Sequence, residues 1–177
     1  MNKQPHRYFA GANTHKGFVD FFESAFAKFT YILKGTPGCG KNTLLKQVAK
    51  HFSEQDERVE YFYCSLDPDS LDGIRLTDKN VSILDGTAPH TIDSKQDGND
   101  KIINLTDGVY ISEKFQQKIA KLEKTKKKFF AKAQRAHQKA IEAHKKIEGL
   151  YHPYINFNEV TQITQSLIKE IEELTFT

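Results

Sequence analysis

Cysteine is scarce in this chain of 177 residues: there are two, Cys39 and Cys64. Two cannot build the disulfide framework that holds many small secreted domains together. No basic-then-apolar segment opens the chain, so a reducing cytoplasm is the expected compartment. Nor does any apolar run approach the roughly 20 residues that a membrane helix needs, and the mean hydropathy is -0.61, so a soluble chain without membrane contact is expected. Net charge is small as well, at +3. What is present is 38% hydrophobic content, enough to bury one core, or one core with an appendage.

The charge is unevenly distributed. Residues 53–111 carry 13 acidic against 5 basic side chains, whereas residues 112–152 carry 4 against 12. Before Ile111 short β-branched and aromatic runs alternate with Gly- and Asp-rich turns; beyond it turn residues are few and long helix is predicted. The expected organisation is a nucleotide-binding domain at 1–111, with an incomplete sheet, and a helical hairpin at 112–177.

The amino-terminal part reads as alternating elements. In "THKGFVDFFESAFAKF", Phe18, Phe21, Phe22, Ala25, Phe26 and Phe29 recur at helical spacing, and Thr14 is placed to cap a core-facing helix. "TYILK" at 30–34 predicts a buried strand, "NTLLKQVAKHF" a helix, "RVEYFYC" at 58–64 an alternating strand and "VSILD" at 81–85 a second buried strand. Such an order predicts an α/β fold, with a parallel sheet flanked by helices.

Between the first strand and its helix lies "GTPGCGKNT", with Gly35, four residues, Gly40 and Lys41. A strand, a glycine-rich turn and a helix amino terminus together aim successive backbone N–H groups inward and form an anion nest. Gly35, Gly38 and Gly40 let the backbone close around phosphate, Pro37 stiffens the turn, and Thr36 and Cys39 complete it. Lys41 is expected to reach the β and γ phosphates. The loop therefore predicts ATP binding. Asn42 departs from the pattern, because Ser or Thr normally coordinates Mg²⁺ there. Thr43 can keep a phosphate contact but not take over the metal role, since one residue along a helix turns the side chain by about 100°. An amide oxygen can ligate a hard cation, so Asn42 stays a candidate ligand, with compromised metal geometry expected.

A nucleotide site also needs an acid at the end of a neighbouring strand, and Asp85 fits that role with Mg²⁺. Gly86 follows where many ATPases carry a water-orienting Glu, so weak hydrolysis is expected. Asp67, Asp69, Asp72 and His90 are candidates to replace it, against a simpler reading as turn residues.

"RYFAGANTHKGFVDFF", the loop, "VEYFYCSLDPDSLDGI", "ILDGTAPHTID" and "FNEVTQITQSLIKEI" together resemble the amino-terminal half of a little-characterised bacterial family of P-loop ATPases with two tandem nucleotide-binding domains. The resemblance implies a P-loop NTPase fold, ATP as ligand, and Lys41, Thr43 and Asp85 as nucleotide or metal contacts. It departs at Asn42, and the chain stops before the strands that would complete the family's sheet.

In the carboxy-terminal third, Phe115, Ile119, Leu122, Phe129, Ala133, Ala136, Ala140, Ile147 and Leu150 follow steps of three and four, interrupted mainly by Lys126. One long helix is predicted. Pro153 breaks it, Asn156 with Glu159 offers a capping box, and Val160, Ile163, Leu167, Ile171 and Leu174 form a second stripe. The two helices are expected to fold back as a long antiparallel hairpin that contacts a protein partner. Nucleic acid is the less favoured partner, because Glu interrupts the basic face. His137, His144 and His152 lack the i, i+4 spacing of a metal pair.

Three functions fit these residues: an ATPase-type NTPase domain, a non-hydrolysing nucleotide sensor or interaction module, and a nucleotide or small-molecule kinase. The absence of a lid arginine run disfavours the kinase, and Asn42 and Gly86 favour the sensor. The ATP-binding NTPase reading is preferred.

Overall fold

The computed structural model describes residues 5–94 and 98–174. The chain forms two compact units, residues 1–135 and 136–177. In the first, β1 (His6–Phe9), β4 (Phe29–Lys34), β5 (Val59–Tyr63), β6 (Leu71–Leu76), β7 (Val81–Asp85) and β8 (Asp100–Asn104) form one sheet in the order β1-β5-β6-β7-β4-β8. A separate hairpin pairs β2 (Gly11–Thr14) with β3 (Gly17–Asp20). Helix α1 spans Lys41–Ser53, and α2 runs from Glu113 to Tyr151.

The three predicted strands at 30–34, 58–64 and 81–85 correspond to β4, β5 and β7. β7 and β8 pair parallel to β4, and β1 pairs parallel to β5. The sheet is mixed rather than parallel, because β6 lies antiparallel between β5 and β7. Its sequence, LDGIRL, hides a buried strand behind an acid and a glycine. Gly73 is required there: a Cβ would meet Leu84 Cδ2 at 2.7 Å and the Ile83 carbonyl at 3.1 Å.

Alternation within the strands divides the core between two faces. Leu33 and Ile83 turn to one side, where Leu45 and Ala49 of α1 pack with Leu44, Val48 and Phe52 around them. Ile32 and Leu84 turn to the other, against Ala10, Phe22, Ala25 and Ile92. Full burial of a side chain such as Leu45 contributes about 1.5–3 kcal/mol. The second face is thus covered by a 3-10 turn, Phe22–Ala25, and not by the amino-terminal helix expected over 14–29.

Gly17 explains that difference. It adopts φ +103°, which ends β2 and starts β3 through a tight turn. Thr14 caps this turn instead of a helix: its Oγ1 donates to the Gly17 carbonyl at 2.8 Å and accepts the Lys16 N–H at 3.1 Å. Phe22 and Ala25 enter the core, while Phe21 and Phe29 remain exposed.

The helical expectations divide. A single α2 of 39 residues forms as predicted, and Asn156 caps α3 (Phe157–Glu173) by accepting the N–H groups of Asn158 and Glu159. The antiparallel hairpin does not form, because α3 and the end of α2 do not pack along one another and every described residue of α3 is exposed. Between 136 and 150 the α2 stripe offers Ala136 and Ala140 before Ile147 and Leu150, so little apolar area would be buried by folding back. The inward, half-buried positions of α2 in the first unit are Glu123, Phe130 and Gln134, which lie beside the predicted stripe and not on it.

Candidate functional site

The five parallel strands end at one edge of the sheet, and the singled-out residues gather there. β4 leads through residues 35–40 directly into α1. Gly35, Gly38 and Gly40 all have positive φ, at 152°, 82° and 95°, and Gly40 is the residue from which α1 starts. A Cβ on Gly35 would meet Cys39 Sγ at 2.6 Å, so the turn closes only around glycine. Thr36 accepts the Cys39 N–H at 3.2 Å, and Gly40 accepts the Leu44 N–H at 2.9 Å. Pro37 and Thr43 are exposed on either side of the turn.

Lys41 folds back over this loop. Its Nζ donates to the Gly35 carbonyl at 2.8 Å and the Thr36 carbonyl at 3.3 Å, and stands 3.7 Å from Asp85 Oδ2. Both side chains are largely enclosed, at 10% and 15% exposure, so the pair is only weakly screened. Asp85 is held in turn by Thr87, whose N–H donates to Oδ1 at 2.9 Å and whose hydroxyl donates to the same oxygen. The Lys41 ammonium thus stands over a glycine turn at a helix start, beside the enclosed Asp85 carboxylate.

Asn42 points its chemistry elsewhere. Its Oδ1 accepts the Leu71 N–H at 3.0 Å and its Nδ2 donates to Ser70 Oγ at 3.3 Å, so both ends of the amide hold the start of β6. The residues therefore fit a phosphate group well and Mg²⁺ in part: Asp85 is in place, while the amide oxygen of Asn42 is engaged by the main chain. Among the described residues no group of three or more His, Cys, Asp or Glu could hold a metal ion by itself. A cation at this edge would depend on phosphate oxygens for most of its shell.

The four alternative acids and bases separate into two pairs. Asp67 and Asp69 are turn residues: Asp67 accepts from the Asp69 N–H at 3.2 Å and the Ser70 hydroxyl at 2.8 Å, and the Asp69 carbonyl accepts from Lys46 Nζ at 2.6 Å. Asp72 and His90 meet in the interior, with His90 Nε2 3.0 Å from Asp72 Oδ2 and His90 only 4% exposed. The imidazole lies against Phe18 and Phe22, at 4.9 Å and 4.1 Å between ring centres, and its Nδ1 has no hydrogen-bond partner. Burial pushes the Cys64 thiol above its ordinary pKa, and the adjacent Asp72 carboxylate adds to the shift.

Two contributors escaped sequence reading. Lys34, the last residue of β4, donates to the Gly86 carbonyl at 2.8 Å and the Ile92 carbonyl at 2.6 Å, fixing the segment that follows Asp85. A lysine ending an apolar strand was the available signal. The pairing of Asp72 with His90 had no signal of its own, because it requires β6 to lie beside β7.

Residues 13–147 match the family described as Nephrocystin 3, N-terminal. Comparison with curated proteins and with solved structures gives no match. The family match takes in most of the hairpin, the glycine turn, Lys41, Asp85 and most of α2, well over half of the sequence. The chain belongs to the Nephrocystin 3, N-terminal family.

Proposed function

We propose that the chain is an ATP-binding domain of the P-loop NTPase type whose hydrolysis is weak. The observation that carries this reading is the placement of Lys41, which sits at the start of α1, over the glycine turn and 3.7 Å from Asp85. On ATP binding the Lys41 ammonium exchanges loop carbonyls for phosphate oxygens, and the turn's N–H groups bind the same anion. The resemblance to the amino-terminal half of bacterial P-loop ATPases with tandem nucleotide-binding domains supports ATP over other anions.

The commitment of Asn42 to Ser70 and Leu71 favours binding over turnover. Mg²⁺, when bound, would neutralise charge on the phosphates, and Asp85 is the residue positioned to hold it. The Asp67 carboxylate is disfavoured for the water-orienting role, because it accepts the Asp69 N–H and the Ser70 hydroxyl. A non-hydrolysing nucleotide module is the second reading, favoured by the same Asn42 contacts. The exposed apolar residues of α2 and α3, including Phe129 and Ile163, support a protein partner for the helical arm. ATP titration with and without Mg²⁺, followed by phosphate release, tests the proposal: binding with little turnover is expected, and absence of ATP binding would remove it.

A further inference from the structure

A cavity of about 530 Å³ lies within the sheet-bearing unit, between the β2–β3 hairpin, the segments after β5 and β7, and α2. Small-molecule sites usually measure roughly 300–1,000 Å³ and combine apolar walls with a few convergent polar groups. This one opens at the carboxyl edge of the parallel strands, the edge at which open α/β sheets take their ligands.

Its apolar lining comes from separate parts of the fold: Phe18 of β3, Leu66 after β5, Pro89 after β7 and Phe130 of α2. His90 also lines it, held by Asp72 and by contact with Phe18 and Phe22. A buried imidazole with one nitrogen unpartnered is costly for packing alone, and such atoms concentrate where a protein meets a ligand or water. The charges at the cavity are unequal. Glu123 and Lys126 neutralise one another at 2.7 Å, which leaves Lys127 as a cation without a carboxylate within ion-pair distance among the described residues.

We propose that this cavity binds a small aromatic carboxylate, its ring against Phe18 and Phe130 and its carboxylate toward Lys127. Two phenyl side chains from facing elements favour a flat ring, and the single uncompensated ammonium sets the sign of the ligand's charge. The site is separate from the glycine turn and requires no nucleotide.

The chain contains no tryptophan, so an indole probe can be excited selectively. Indole-3-acetate is titrated with the full chain and its fluorescence anisotropy followed, beside the uncharged analogue indole-3-ethanol. Saturable binding of the acid is expected, with the alcohol about tenfold weaker, consistent with loss of one charge-assisted contact. Lys127→Glu should weaken the acid by at least about tenfold and Ala131→Phe, which fills the cavity from α2, should abolish binding. Circular dichroism of both variants checks that the fold is kept. No binding of the acid by the parent, equal affinity for acid and alcohol, or folded variants that bind as the parent does would each overturn the proposal. The last result would place the probe on the exposed apolar residues of α2 and α3 instead.

Discussion

Asn42 Oδ1 accepts the Leu71 N–H at 3.0 Å, so the residue that departs from the phosphate-loop pattern is also the tie between α1 and β6. Nδ2 strengthens the tie through Ser70 Oγ. A hydroxyl at position 42 is shorter and has no second polar atom to bridge both groups. Asn42 therefore has a structural role that sequence spacing did not disclose.

Removing the tie should cost stability. Asn42→Ala forfeits two partly buried hydrogen bonds, each worth about 0.5–1.5 kcal/mol, and leaves the Leu71 N–H without its partner. Urea denaturation should show a loss of about 1–3 kcal/mol. An unchanged midpoint would mean that water replaces the amide at no cost.

On the proposed reading, the same position should also govern the response to the cation. In the parent, Mg²⁺ should improve ATP affinity only slightly, because the loop N–H groups and Lys41 act on phosphate without it. Asn42→Thr should increase the Mg²⁺ dependence of binding while lowering stability. Calorimetric titrations with Mg²⁺ and with chelator decide this; a strong dependence in the parent, unaltered by the substitution, contradicts it.

Cys64 should be a poor nucleophile near neutral pH. Burial and the neighbouring Asp72 carboxylate raise its pKa, which keeps the thiol protonated where an ordinary cysteine of pKa about 8.5 begins to ionise. A group whose folded pKa is raised contributes stability that is full below the unfolded value and lost as pH rises through the folded one. Alkylation by iodoacetamide at pH 8, followed by peptide mass spectrometry, should label Cys64 more slowly in the folded chain than after unfolding in urea. Equal rates would remove the burial argument.

Polar substitutions on α3 should be nearly silent. Ile163 and Leu167 are 68% and 53% exposed, so Ile163→Ser and Leu167→Ser should each change stability by no more than about 0.5 kcal/mol. A loss of several kcal/mol would show that α3 packs as the predicted hairpin required.

The legible parts of the fold were those with a local cause. Ile32, Leu33, Phe62, Ile83 and Leu84 lie in runs whose hydrophobicity requires burial, and the strands were read from them. The turn from Gly35 to Gly40 could be read because glycines between an apolar strand and a helix are a local signal, and all three take positive φ. The hairpin at 11–20 was misread since Phe18, Phe22 and Ala25 happen to recur at helical intervals, while the turn that separates them depends on the φ of Gly17. β6 was missed for a different reason: Leu71 and Ile74 look like loop residues among acids until β5 and β7 flank them. At the site, Asp85 was placed from its strand, whereas the Asp72–His90 contact and the Asn42 tie depend on pairing across the sheet.

Nucleotide binding through the glycine turn is tested most directly by ATP titration of the parent and of Lys41→Ala under identical conditions. The enclosed ammonium should supply a charge-assisted contact worth about 1.5–3 kcal/mol, so the substitution should weaken ATP by roughly 10- to 100-fold. Circular dichroism and urea midpoints confirm that both chains are folded. Equal ATP affinity in the two folded chains would contradict the assignment of the loop.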